Sequence, residues 1–191
     1  MMIKKTAAII LSVFFIASLC GCRTARPVSE GASSGSVNTF QGYDAVLVKN
    51  FEVPANVPAA ANVGSEIARK IASQIQRYSQ TYKLFGVVTI EKDKTQIPAG
   101  KKVLVITGEV NEYTQPSVGK RIGRSFIPGG EFTGTAAFAA HYQFVDKDSG
   151  EVIYVTDLRT TSTGSSDTVD YAMERNAEAA ARVVYQHKVG Q

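Results

Sequence analysis

The stretch FTGTAAFAAHYQFVDKDSGEVIYVTDLRT, Phe132 to Thr160, decides the fold class. Phe132, Ala136, Phe138, Ala140, Tyr142 and Phe144 fall on one side of an extended chain, and His141 falls on the other with Ala139 and Gln143 beside it. Alternation with period two marks a strand with one face buried. Asp146-Lys147-Asp148-Ser149-Gly150 is turn chemistry, since Asp and Ser side chains bond the nearby backbone and Gly accepts a left-handed conformation. Glu151 to Thr160 then reads as the returning strand of a hairpin.

Outward from this hairpin the pattern changes to a period near 3.6. On the C-terminal side Asp167 is placed to cap a helix with Val169, Met173, Ala177, Ala180 and Val184 on one stripe, and with Glu178 and Arg182 as an outward i,i+4 pair. On the N-terminal side Lys102 to Val110 reads as a strand, preceded by a polar loop, Lys92 to Lys101, and a β-branched strand, Leu84 to Glu91. Before these, Asn62 caps a helix bearing Val63, Ile67, Ile71, Ile75 and Tyr78, with Arg69, Lys70, Gln74 and Arg77 on the opposite face. Tyr43 to Val48 is the first strand. The expectation is an α+β domain over residues 43–191: a mostly antiparallel five-stranded sheet with two helices packed on one face, in the order β-α-β-β-β-β-α. No repeat with a period of ~20–50 residues is visible.

The N-terminal region reads differently. Met1 to Lys5 is a short basic segment, and Ala7 to Leu19 is an uncharged apolar run of 13 residues. That suits a secretory leader and is shorter than the ~18 residues that span a bilayer. Leu19-Cys20-Gly21-Cys22 follows. It resembles the bacterial lipobox, which implies cleavage after Gly21 and lipid on Cys22, with residues 1–21 as signal peptide. Leu19 is too large to precede the acceptor, which excludes Cys20. Two or three acyl chains anchor firmly where one binds only marginally. Arg23 stands where an aspartate retains lipoproteins of enteric bacteria in the inner membrane, so outer-membrane attachment facing the periplasm is expected. Arg23 to Gly42 is polar and rich in Ser, Gly and Thr. Residues 22–42 are thus a lipidated cysteine and a flexible tether, whose 20 residues reach ~25 Å root-mean-square.

Composition narrows the function. The chain has 191 residues, 44% hydrophobic and 20% charged, which excludes a disordered or collagen-like polymer. The formal net charge of +4 includes Lys4 and Lys5, and without them 19 basic residues face 17 acidic ones. That balance gives no argument for nucleic acid. With both cysteines at the leader boundary, neither a disulfide framework nor a cysteine metal site is expected downstream.

Catalytic constellations are thin. His141 has Ser162, Ser165 and Ser166 as conceivable nucleophilic partners, but no GxSxG elbow surrounds any of them. His187 lies at the end of the last helix, where a positive charge suits the dipole. Asp146, Asp148 and Glu151 cluster around Gly150, yet a calcium loop needs more oxygen ligands over ~12 residues, and Asx bonding explains the turn better. No HExxH or CxxC motif is present, so no metal and no cofactor is expected. The most unusual segment is Val118 to Gly130, VGKRIGRSFIPGG, in which Lys120, Arg121 and Arg124 share a loop with four glycines. It lacks a Walker lysine–serine pair, and is a candidate interaction loop for an acidic partner, lipid head groups or peptidoglycan.

Taken together, Val63-Gly64, Phe85, Val87, Gly119, Arg121, Gly123, Arg124, Gly129-Gly130, Asp146, Gly150-Glu151 and the alanine-rich last helix resemble a bacterial lipoprotein family known as domain of unknown function 4410. The resemblance covers most of residues 51–187. It implies a fold similar to the periplasmic domains of penicillin-binding-protein activators and curli-secretion lipoproteins, and it supplies no catalytic residues. The functional expectation is a non-enzymatic, lipid-anchored outer-membrane protein whose domain binds an envelope protein or peptidoglycan, or helps assemble an envelope complex. The alternatives are a homo-oligomeric secretion or pore component and an envelope-polymer hydrolase based on His141.

Overall fold

The computed structural model describes residues 39–116, 135–162 and 168–190. The elements are β1 (Ala45–Val48), α1 (Val63–Tyr82), β2 (Val87–Ile90), a 3-10 segment (Glu91–Gln96), β3 (Val103–Thr114), β4 (Ala137–Asp146), β5 (Val152–Thr161) and α2 (Val169–Val189). The five strands form one sheet in the order β2-β1-β3-β4-β5. The α+β class, the element order and the hairpin stand as expected.

The sheet itself is mixed rather than mostly antiparallel. β1 runs parallel to both β2 and β3, while β3-β4 and β4-β5 are antiparallel. Parallel neighbours need long crossovers, and two are present. Helix α1 carries the chain from β1 to β2 over one face. The segment Glu91 to Lys102 carries it from β2 past β1 to β3 over the other face, where Ile97 packs on Ala45, Leu47, Val103 and Val105. The polar loop expected there is a crossover with an apolar anchor, which a single Ile among charged residues does not announce.

The main core lies between the sheet and the helices. β1 contributes Val46 and Val48, β3 Leu104, Ile106 and Val110, and β4 Phe138, Ala140, Tyr142 and Phe144. From α1 come Val63, Ile67, Ile71 and Ile75, and from α2 Met173, Ala177, Ala180 and Val184. Small residues on α2 let it approach the β4-β5 hairpin closely enough for polar hooks. Tyr142 Oη donates to Asn176 Oδ1, Asn176 Nδ2 donates to the Leu158 carbonyl at 2.9 Å, and Thr160 Oγ1 donates to the Ala172 carbonyl at 2.7 Å. Every one of these groups is buried, so each bond removes a desolvation cost of about 1–3 kcal/mol.

Two glycines make close approaches possible. A Cβ at Gly64 would lie 2.0 Å from the Phe51 carbonyl oxygen, and one at Gly108 would lie 2.0 Å from the His141 carbonyl oxygen and 2.6 Å from the Phe51 ring. The start of α1 and the middle of β3 are thereby clamped around Phe51, whose N–H donates to the Gly64 carbonyl at 3.1 Å.

Three local expectations are corrected. Asn62 caps α1 through its carbonyl, which accepts the N–H groups of Ser65 and Glu66, and not through its side chain. The N-cap of α2 is Thr168, whose Oγ1 accepts the Tyr171 N–H at 3.1 Å, while Asp167 lies outside the described residues. Gln74, expected on the polar face of α1, is buried and bonds Glu174 of α2. Beside it Lys70 reaches Asp170 at 2.9 Å and Glu174 at 3.3 Å, so the polar face of α1 contains the seam to α2. The outward Glu178–Arg182 pair is present at 3.5 Å.

Candidate interaction surfaces

Cys22 and the rest of residues 1–38 lie outside the described residues, as do Lys120, Arg121 and Arg124, Ser165 and Ser166, and Phe132. The points at which these segments join the domain are described. Within the polar stretch expected to run to Gly42, Phe40 is fully buried against Phe144, Tyr154 and His187 with ring centroids 5.0, 6.1 and 5.1 Å away. The Phe40 N–H donates to the His187 carbonyl at 3.1 Å. Lys188 Nζ donates to the carbonyls of Gln41 and Tyr43 at 2.9 and 2.6 Å. The end of the polar stretch is thus stitched to the C-terminal turn of α2. The segment holding Lys120, Arg121 and Arg124 joins the domain at the other end of the sheet, where Thr114 pairs with Ala137.

His187 was expected to carry charge at a frayed helix end. It packs instead between Phe40 and Tyr154, its Nδ1 is buried without a partner, and burial pulls its pKa below the usual histidine value.

The end of the sheet beside Phe40 also holds Asp146. Its Oδ1 accepts the N–H groups of Asp148 and Ser149, both at 2.9 Å, which is the Asx-type turn expected from the sequence. Its Oδ2 accepts from Tyr43 Oη at 2.8 Å and lies 3.6 Å from Lys102 Nζ. The Ser149 N–H, then Tyr43, hold the carboxyl well below the usual range, while burial and the Asp146 bond push the Tyr43 hydroxyl up. Among the described residues no group of three His, Cys, Asp or Glu is arranged to hold a metal ion.

His141 sits on the sheet face away from the helices, in a cross-strand row with Glu109 of β3 and Asp157 of β5. Its Nδ1 lies 2.9 Å from Asp157 Oδ1. One row away Arg159 forks onto Glu112 at 2.7 and 3.1 Å, which lowers the Glu112 pKa. Ser162 is buried on the opposite, helix-facing side, where its Oγ donates to the Thr168 carbonyl at 3.2 Å. The structure does not bring His141 and Ser162 together.

A groove of 430 Å³ runs between α1 and the edge strand β2. Gln76, Ser79, Gln80 and Lys83 line the helix side, and Phe85, Gly86 and Val88 the strand side. Ser79 is 6% exposed, yet its Oγ has no hydrogen-bond partner. The sequence carries a signal for this groove only in retrospect: Gln76, Ser79, Gln80 and Lys83 are one polar stripe, which also describes a solvated helix face. Among the described residues no helix is long and apolar enough to cross a membrane.

No protein-family model matches the chain, and no curated protein matches it in sequence. Solved structures do match. A point variant of PelC from Paraburkholderia phytofirmans, crystallised as a dodecamer, superposes with a TM-score of 0.54 over 78% of this chain and 93% of its own at 13% identity. A second crystal form of the PelC dodecamer gives a TM-score of 0.53, with 78% and 92% coverage at 14% identity. Lipoprotein GNA1162 from Neisseria meningitidis is more distant, with a TM-score of 0.37 over 74% of this chain and 98% of its own at 15% identity. The finding common to the two PelC structures is the fold: this chain and PelC share one α+β architecture.

Proposed function

We propose that this protein is a lipid-anchored, non-catalytic component of the bacterial outer membrane whose periplasmic domain binds and helps assemble an envelope complex. The observation that carries the reading is the shared architecture with PelC, over nearly the whole of that chain, in a protein crystallised as a dodecamer. It is supported by the Leu19-Cys20-Gly21-Cys22 sequence and by the polar stretch that ends stitched to the domain at Phe40. The anchor on Cys22 concentrates copies on one membrane, which raises their effective concentration for assembly.

The PelC dodecamers favour a second, more specific reading: the assembly includes further copies of the chain itself, a homo-oligomer. A partner protein or peptidoglycan then meets the assembly through other surfaces, of which the Lys120, Arg121 and Arg124 loop is the candidate.

Labelling cells with an alkyne fatty acid tests the anchor: the wild type incorporates label and Cys22→Ala does not. Affinity purification from membranes in mild detergent, comparing wild type with the triple alanine variant at Lys120, Arg121 and Arg124, tests the partner surface. Recovery of neither further copies nor an envelope component from wild type refutes the assembly reading. For the hydrolase alternative, loss of the cellular phenotype in His141→Ala at normal protein level is the result that revives it.

A further inference from the structure

Among the described residues the sheet has two open edges: there β2 pairs only with β1, and β5 only with β4. Ala45 turns its N–H to Lys102 on the β3 side and shares a row with Val87, so in this parallel ladder Val87 and Thr89 turn their main-chain groups inward to β1 while Val88 and Ile90 turn theirs outward. On β5 the Ser162 N–H bonds Ala136, so the same alternation turns Val155, Asp157 and Arg159 outward. Natural sheets blunt or cover such edges. Among the described residues this one leaves a ten-residue edge in β5 and, beside β2, a groove containing a buried hydroxyl without a partner.

The two edges match in level. Following the pairing across the sheet, Thr89 aligns with Leu47, Val105, Val145 and Val152, and Ile90 with Val48, Ile106, Phe144 and Tyr154. β2 and the first part of β5 therefore stand at the same height and run in the same direction. Val152, 48% exposed, is among the few large apolar side chains left open. The charges also match at the base of each edge. Lys83, exposed and held in the left-handed region at φ 56°, stands below β2, and exposed Asp148 and Glu151 stand below β5.

We infer that the α1–β2 groove of one copy receives the β5 edge of a second copy, continuing the sheet across the junction with Lys83 against Glu151. The inference rests on the homo-oligomer reading and names the surfaces that meet. Because β2 and β5 are different surfaces, the contact is heterologous: each copy keeps one edge free for the next, and the series closes into a ring if the rotation per copy allows it. The neighbour's strand supplies hydrogen-bonding groups beside Ser79 and satisfies the outward amides of β2.

The test uses full-length protein in detergent extracts of membranes, sized by analytical ultracentrifugation. Lys83→Glu and Glu151→Lys are each expected to shift the wild-type assembly to monomer, and the double exchange Lys83→Glu with Glu151→Lys to restore it. Independently, a chain carrying Val88→Cys and Val152→Cys is expected to give a ladder of covalent multimers with a short bis-maleimide, which neither single-cysteine chain gives. Wild type that sediments as a monomer overturns the homo-oligomer reading. An assembled wild type that resists both charge reversals and yields no ladder leaves that reading standing and overturns this interface.

Discussion

The N–H of Phe40 donates to the carbonyl of His187, 147 residues away, and their rings lie 5.1 Å apart. The last residues of the polar N-terminal stretch are therefore an integral part of the folded core. Phe40→Ala removes a fully buried ring that touches Phe144, Tyr154 and His187. The expected loss is about 3–5 kcal/mol, measured by urea unfolding.

His187 makes stability depend on pH. Its pKa is lowered in the folded state by burial, whereas the unfolded chain takes up the proton near pH 6.5. Below that value the unfolded state binds more protons, so stability falls as pH drops through about 6.5 and is fully present above it. His187→Phe is expected to flatten this limb in thermal melts between about pH 5 and pH 7.5.

Asp146 acts in a lower window. Its carboxylate is held by the Ser149 and Asp148 amides and by Tyr43, so its folded pKa lies below the unfolded value near 4. The stabilisation is present above about pH 4 and is lost progressively as pH falls further. Asp146→Asn is expected to lower the melting temperature at neutral pH and to weaken the acid limb below about pH 4. A Tyr43→Phe chain should reproduce part of that change.

Gly108→Ala is expected to destabilise by more than the roughly 1–3 kcal/mol of ordinary overpacking. The added methyl meets the main chain of β4, which has no rotamer to relax into. Gly64→Ala should behave alike through the Phe51 carbonyl. Circular dichroism melts of the two variants check both.

Tyr142→Phe leaves Asn176 Oδ1 buried without its hydroxyl donor. A loss of about 1–3 kcal/mol is expected. Replacing both residues, Tyr142→Phe with Asn176→Leu, should cost less than the sum of the single changes, because neither polar group is then stranded.

The hairpin was legible because period two and Asx-turn chemistry are local properties of Phe138 to Leu158. The two helices were legible because Val63, Ile67, Ile71 and Ile75, and Met173, Ala177, Ala180 and Val184, repeat at the helical period. The parallel placement of β1 between β2 and β3 was not legible, since a run such as Ala45 to Val48 reads the same whichever way its neighbours run. Gln74 and Lys70 resembled a solvated face because side-chain type does not reveal that Glu174 and Asp170 come from another helix to meet them.

By itself the sequence determined the α+β class, the element order, the hairpin turn and the apolar stripes, all of which follow from backbone period and local hydrogen bonding. It also supplied the lipobox-like Leu19 to Cys22, on which the anchoring proposal rests. Only the tertiary structure decided the mixed strand order, the docking of Phe40 on His187, the separation of His141 from Ser162 onto opposite faces, and the equal height of the two open edges. These are relations between residues far apart in the chain, and they are set by which surfaces can be buried together. No local pattern encodes that choice.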